Sequence, residues 1–557
     1  MKNIFILSLL IIFLSKSTFT QSIPAGINID TQQETGPLWP FWTYFGYDEP
    51  NYTYTPDGQK LLSEISRLSP TPVYVRTHNL LTTQEGSPTL KWGFTNVYKE
   101  DEAGNPVYDW TLMDSIIDRY IERGMKPLME IGFMPKVMST NPEPYQHSWS
   151  EKGPFWTGWT YPPKDYKKWG ELVYQWVQHS IERYGRQEVA TWLWQVWNEP
   201  NIGYWSGTFE EYLKLYDFAV DAVKRACPEC TVGGPHTTNP DEKKANGYLV
   251  GFLEHCLHGT NYATGKMGAP LEFVAFHAKG NPQLVDDYIQ MNMGTQLQAI
   301  EAGFKAVKSF PELQDIPVII GECDPEGCAA CSEEREPRYG YRNGTMYPSY
   351  TASSFAKIYQ LVEEYQINLQ GVLTWAFEFE NQPWFAGFRD LATNGVDKPI
   401  LNVFRMYGLM HGNRLKVKAA SGLSARNVIE HGVRQQPDIN ALAVKDEESI
   451  TIMIWNYHDD NLPSNDAEIK LTISGIEQKH LLLNHYRIDQ KISNAFESWK
   501  EMGRPQNPTT QQYKELEQAG QLQLYMSPQW LTPVDHTLTI YFMLPRQAVS
   551  LLRLTKD

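Results

Sequence analysis

No apolar run in this sequence is long enough to cross a bilayer. Residues 4–14 form an 11-residue run, against the roughly 20 residues a spanning helix requires, and no later stretch qualifies. A basic excess is also missing: 49 Lys and Arg stand against 65 Asp and Glu, for a net charge of -16. No Lys/Arg cluster with interleaved aromatics offsets that balance, which excludes a nucleic acid partner because a phosphate backbone calls for a basic face. The acidic surplus by itself means solubility. Gly (39) and Pro (36) are too few among 557 residues for a collagen-like or low-complexity chain. Charged residues are only 20% against 41% hydrophobic, so the chain is not disordered either. No Gly-rich fingerprint follows an early strand, which argues against a nucleotide-binding doubly wound sheet.

The chain opens with Lys2, the apolar run, and small or polar residues up to Thr20. This reads as a secretory signal over residues 1–20, so that the mature protein is exported to the periplasm or the medium and free of the membrane. Six Cys follow: Cys227, Cys230, Cys256, Cys323, Cys328 and Cys331. Six allow about 15 pairings, among which sequence does not choose. The two Cys-x-x-Cys pairs resemble zinc half-sites, but 98 residues separate them and an oxidising compartment favours bridges. The aromatic share of 13% exceeds what a core needs and points to flat apolar surfaces facing a ligand.

Between about residues 70 and 380, short apolar stretches alternate with amphipathic ones. Strands are expected at 73–76, 127–133, 192–197, 231–234, 272–277, 317–321 and 371–377, with an eighth, first in chain order, at 41–46. Residues 165–184 place Trp169, Leu172, Val173, Trp176, Val177 and Ile181 on one helical face, residues 111–123 form a helix ended by Gly124, and Thr208 with Glu211 forms a capping box. Eight strand and helix units predict a (β/α)8 TIM barrel over residues 21–410. Beyond it, alternating strands at 441–457, 466–473, 481–488 and 538–554 predict a C-terminal β-sandwich over residues 411–557, interrupted by one helix at 509–519.

A barrel builds its site at the C-terminal ends of its strands. Strand four runs into Trp197, Asn198, Glu199 and Pro200, and strand seven into Glu322. Either glutamate alone is compatible with a structural role. Together they would face each other across the barrel mouth, and glycoside hydrolysis needs such a pair: one carboxyl to protonate the leaving oxygen, one to attack or to activate water. Burial among Trp194 and Trp197, with Glu322 nearby, is expected to raise Glu199 into the range of an acid. Asn198 is placed to bind a sugar 2-hydroxyl. His78, His236 and His277 lack the spacing of a metal site, and no metal or organic cofactor is expected.

These residues resemble glycoside hydrolase family 39, the group of β-xylosidases and α-L-iduronidases. The resemblance rests on residues 75–78 (VRTH), 108–110 (YDW), 127–135 (PLMEIGFMP), 196–201 (VWNEPN), 233–235 (GGP), 276–277 (FH), 320–322 (IGE) and 374–377 (TWAF), and on later fragments between Arg487 and Gly503. It implies a retaining, double-displacement mechanism with Glu199 as general acid/base and Glu322 as nucleophile. By position it implies His78, Asn198, His277 and Trp375 as substrate-binding residues, with Glu378 or Glu380 taking the far hydroxyls of the sugar. The Cys-rich segment after Glu322 and residues 378–388 depart from the xylosidase pattern, and both border the sugar site. Trp205 and Trp384 are candidates for stacking on a sugar face. The substrate implied is an oligosaccharide or glycoside, and the activity that of an exo-acting β-xylosidase releasing xylose from xylo-oligosaccharides. The alternatives are a sister β-glucosidase, β-galactosidase or uronidase-type enzyme, or an inactive carbohydrate-binding protein. A uronic acid would want a cation, which Arg76 or Arg389 would supply. An inactive protein would want one of the two glutamates missing, and both are present.

Overall fold

The computed structural model describes residues 22–84, 93–147, 155–376 and 381–556. Eight parallel strands close into a barrel: β1 (Tyr44–Tyr47), β2 (Tyr74–Thr77), β3 (Lys126–Ile131), β4 (Leu193–Val196), β5 (Thr231–Thr237), β6 (Phe273–Lys279), β7 (Val318–Asp324) and β8 (Leu369–Trp375). β8 returns to β1 through the pair Leu373 and Tyr44. Each lies at an expected position, the first beginning only after a turn at residues 41–42.

Side chains alternate along a strand, and that alternation sorts the core into two parts. Along β6, Val274, Phe276 and Ala278 pack outward against the helices, whereas Phe273 and Ala275 fill the lumen with Tyr44, Leu128, Ile319 and Leu373. The helices follow their caps. Asp165 accepts hydrogen bonds from the backbone N–H groups of Lys167 and Lys168, opening helix Tyr166–Tyr184, whose Trp169, Leu172, Val173, Trp176 and Val177 are buried. Thr208 and Glu211 close a reciprocal capping box on helix Phe209–Ala226.

The second unit is one continuous ten-stranded sheet. It curls so that strands from both ends of its order, Leu481–Ile488 and Leu538–Leu544, bury residues in a single core, giving the two layers of a β-sandwich. Two features correct the expected boundaries. Strand Ile23–Pro37 belongs to this sheet and not to the barrel: it runs antiparallel to Asn413–Ala419 and parallel to Ala467–Ser474. The reason is that Ala25, Ile27 and Ile29 share one face and find their apolar partners only in the sandwich core. Three helices, Ala425–His431, Ala495–Glu501 and Thr510–Gly520, accompany the sheet where one was expected.

The two units meet over a buried ion pair. Lys357 Nζ lies 2.5 Å from Asp438 Oδ2, an oxygen that also accepts from Ser353 Oγ (2.7 Å) and Trp455 Nε1 (2.9 Å). Both charged side chains are shut off from solvent. Breaking a buried pair strands the remaining charge, so Lys357→Met should destabilise the protein by about 3–5 kcal/mol. Asp438→Asn in the same chain should restore part of that, as read by chemical denaturation.

Candidate active site

Each charged group in the barrel mouth is placed by strand parity or by a local break in it. On β2, Arg76 points inward and His78 follows two residues later on the same side. On β6, His277 and Lys279 continue the inward series of Phe273 and Ala275. β7 needs a shift to do the same: Ile320 pairs with Phe276, but Glu322 pairs with His277, leaving Gly321 as an extra residue. Such a bulge reverses parity, so that Glu322 and Asp324 face inward after Ile319. β5 carries a second irregularity, between Pro235 and Thr237, where the extra residue is His236 with φ 55°. Past β4, Trp197 (φ 72°) and Glu199 (φ 42°) both adopt left-handed backbone. This conformation costs on the order of 1–3 kcal/mol for a residue with a side chain, and here it brings both Asn198 and Glu199 to the lumen.

The groups gathered in this way form one network. Glu322 Oε1 accepts from Arg76 Nη1 at 3.0 Å, and Oε2 from Lys279 Nζ at 2.5 Å. Arg76 also donates to Glu130 (2.7 Å) and to Asn198 Oδ1 (2.8 Å), and Lys279 also holds Asp324 (2.7 Å). Glu199 Oε1 lies 2.9 Å from His277 Nδ1. One carboxylate oxygen of Glu199, one of Glu322 and a His277 nitrogen all fall within 4.8 Å of one another. Carboxyl groups of a retaining pair stand about 5–5.5 Å apart, and those of an inverting pair roughly 6.5–9.5 Å apart to admit a water. With one oxygen of each within 4.8 Å of the other, the two groups are close enough for the first arrangement.

Burial alone raises the Glu322 carboxyl, but the neighbouring His277, Lys279, Arg76 and His78 together outweigh it and hold the group well below the usual carboxylate range. Burial lowers His277, against the opposing pull of Glu322 and Glu199. Glu130 is raised, chiefly by its complete burial. One carboxylate is thus kept ionised by fixed cations beneath it, while Glu199, with 14% of its side chain exposed, borders the cavity.

That cavity is about 260 Å³ and is lined by Asp48, His78, Asn198, Glu199, Tyr204, Glu322 and Trp375. More than half of its lining comes from the Cys-rich segment between Gly327 and Tyr339. A Cys328–Cys331 disulfide staples that segment, and Cys227–Cys230 forms a second bridge. Cys256 and Cys323 are buried free thiols. Arg342 and Arg389 anchor the same segment through Glu326, each at 2.6 Å.

The residues expected at the site divide into three groups. His78, Asn198 and Trp375 line the cavity. His78 Nδ1 pairs with Asp48 (2.9 Å), and Trp375 Nε1 donates to the same carboxylate (3.2 Å). His277 does not line it: it is fully buried, with its two ring nitrogens facing Glu199 and His236. Glu378 and Glu380 lie outside the described residues.

Three other tryptophans expected near the site are elsewhere. Trp194 packs against Trp176 and Trp192 in the helix layer. Trp205 packs on Trp197 and Tyr212, and Trp384 joins a cluster with Phe385 and Trp499. The aromatic rings that do line the cavity belong to Tyr204, Tyr339 and Trp375. Sequence reasoning passed over Asp48, Lys279 and Asp324. Their signal was positional: Asp48 directly follows β1, and Lys279 and Asp324 are the last residues of β6 and β7, two places beyond His277 and Glu322 on the side that faces the site.

Known proteins carry the same chain pattern. A β-xylosidase of Caldicellulosiruptor saccharolyticus is 28% identical over 420 residues, covering 74% of this chain and 76% of its own. The mouse α-L-iduronidase is 23% identical over 544 residues, covering 90% and 77%. Among solved structures, a bacterial orthologue of human α-L-iduronidase superposes with a TM-score of 0.77 at 19% identity, covering 96% of this chain and 84% of that one. The family model described as "Glycosyl hydrolases family 39" matches residues 25–528. With that match over most of its length, on a barrel whose mouth holds two facing glutamates, the chain belongs to glycosyl hydrolases family 39 and is a retaining glycoside hydrolase.

Proposed function

We propose that this protein is an exported, exo-acting β-xylosidase in which Glu322 is the nucleophile and Glu199 the general acid/base. The observation that carries the assignment is the pair itself: two carboxyls within 4.8 Å across one cavity, of which only Glu322 is clamped by Arg76 and Lys279. In the first step Glu322 attacks the anomeric carbon and Glu199 gives its proton to the departing oxygen, leaving a glycosyl ester. In the second, Glu199 takes a proton from water, which displaces Glu322 with net retention. Asn198 Oδ1 is occupied by Arg76, so its amide N–H groups are the end available to the sugar 2-hydroxyl. Trp375 and Tyr204 offer apolar faces to the ring. A small cavity with buried charges at its floor suits a terminal sugar, and β-xylosidases are among the similar proteins.

A second reading, cleavage of a uronic acid, is favoured by one observation. Arg76 and Arg389 are fully buried and committed to carboxylates, but Lys279 supplies a third cation beside the nucleophile. Two of its three N–H donors are accounted for by Glu322 and Asp324. Hydrolysis of a panel of aryl β-xylosides, β-glucosides, β-galactosides and uronides decides between the readings. A uronide preferred over the xyloside by tenfold or more in kcat/KM would replace the first with the second. Export rests on residues 1–20 and is tested by sequencing the N-terminus of the secreted protein. Among the described residues no helix is long and apolar enough to cross a membrane.

The clamp on Glu322 also sets a pH dependence. Its folded-state carboxyl is depressed, so the nucleophile stays ionised at acidities where an ordinary glutamate takes up a proton. For the same reason, the stability it contributes is lost only as pH falls through that depressed value. Lys279→Met removes one cation and leaves the burial. The acid limb of the kcat/KM profile should then move to higher pH, and an unmoved limb would count against the clamp.

A further inference from the structure

His236 has no part in the two steps above, yet it is completely buried beside them. Its Nδ1 lies 3.3 Å from Nε2 of His277, whose Nδ1 in turn lies 2.9 Å from Glu199 Oε1. The Glu199 backbone N–H donates to the His236 carbonyl at 3.0 Å, so ring and main chain of one residue both bear on the acid/base. The ring occupies space that only a glycine leaves: a Cβ on Gly321 would stand 2.1 Å from His236 Nδ1. Left-handed backbone at His236 (φ 55°) turns it into that space.

Resting on the reading of Glu199 as the acid, we infer that His236 is a positioning residue that sets the tautomer of His277 and thereby directs the acidic proton of Glu199 into the cavity. The contact between the two imidazoles holds one proton. If His277 supplied it, His236 would carry its own proton on Nε2, which is buried and meets no acceptor among the described residues. His277 Nδ1 would then also turn a lone pair toward the Glu199 oxygen, opposing it when the carboxyl is ionised and drawing its proton away from the cavity when it is not. An unpaired buried donor and two opposed lone pairs disfavour that arrangement. With the proton on His236 Nδ1, His277 Nε2 accepts and Nδ1–H donates to Glu199 Oε1. Glu199 Oε1 is then an acceptor whether or not the carboxyl is protonated, and the exchangeable proton resides on Oε2. Both histidines are neutral in this arrangement, consistent with burial lowering each of them, His236 further disfavoured by Arg76 and His277. The other ionisable groups facing this chain are Arg76 and His78 from β2, Glu322 from β7 and Tyr204 from the loop after β4.

The test uses the leaving-group dependence of kcat/KM, which a general packing defect does not alter. His236→Leu removes the donor and keeps the bulk. It should lower kcat/KM about tenfold to hundredfold for alkyl glycosides and disaccharides, within the roughly 100- to 10,000-fold that general acid catalysis supplies. The 2,4-dinitrophenyl glycoside, whose departure needs no proton, should change less than about threefold. His236→Asn keeps an N–H where Nδ1 was and should stay close to the parent on both substrates. An equal loss on both, no loss on either, or an Asn variant as impaired as the Leu variant overturns the inference. The reading of Glu199 is examined separately: Glu199→Ala with full activity on the disaccharide would remove that assignment, whatever the His236 variants do.

Discussion

Replacing Glu322 with Ala or Gln is expected to lower kcat/KM for every glycoside, good and poor leaving groups alike, by roughly 10,000-fold or more. The nucleophile is used before any other group can compensate, and losses of this order follow removal of a covalent nucleophile elsewhere. The loss should not come from unfolding. Arg76 keeps Glu130 and Asn198 as partners, and Lys279 keeps Asp324, so neither cation is stranded and the thermal midpoint should move little. Azide added to Glu322→Ala occupies the vacated side of the anomeric carbon. A single displacement there gives the glycosyl azide of inverted configuration, detectable by NMR. Unchanged hydrolysis in this variant would refute the mechanism.

The second large effect belongs to Glu199→Ala, and it should depend on the substrate. Without a proton donor, kcat/KM for disaccharides and alkyl glycosides is expected to fall about 100- to 10,000-fold, while a dinitrophenyl glycoside still forms the glycosyl ester with Glu322. That ester should then accumulate, because water has lost its base. A burst of dinitrophenol followed by a slow steady rate is the expected trace. Azide, which needs no base, should speed turnover and yield the azide of retained configuration. Opposite product configurations from the two variants would assign the two roles.

Much of this is legible in the sequence alone. The barrel strands were marked by short apolar stretches at regular intervals, and the sandwich strands by period-two alternation. Both glutamates stood at strand ends in motifs of local chemistry. Other features were not readable, for reasons particular to each. The parity of β7 is reversed by Gly321, and nothing in residues 317–322 shows that this glycine is an extra residue and not a paired one. Strand Ile23–Pro37 has an ordinary alternating pattern, and such a pattern does not name its sheet. Trp205 and Trp384 looked available for stacking because they lie in loops, but loops after barrel strands also fold back on helices, and both rings did. His277 looked like a sugar ligand by position, and one further residue, His236, takes the other side of its ring.

The sequence by itself determined the class of fold, the retaining glycosidase family and the two candidate catalytic carboxyls, because those depend on periodicity and on motifs a few residues long. Only the tertiary structure decided which groups surround those carboxyls. Asp48, Arg76, His236, Lys279 and Arg389 come from widely separated parts of the chain, and closing the barrel is what brings them together around the site. Burial then makes each charge matter: away from water, Arg76 and Lys279 hold Glu322 ionised, and two neutral histidines fix the face that Glu199 presents.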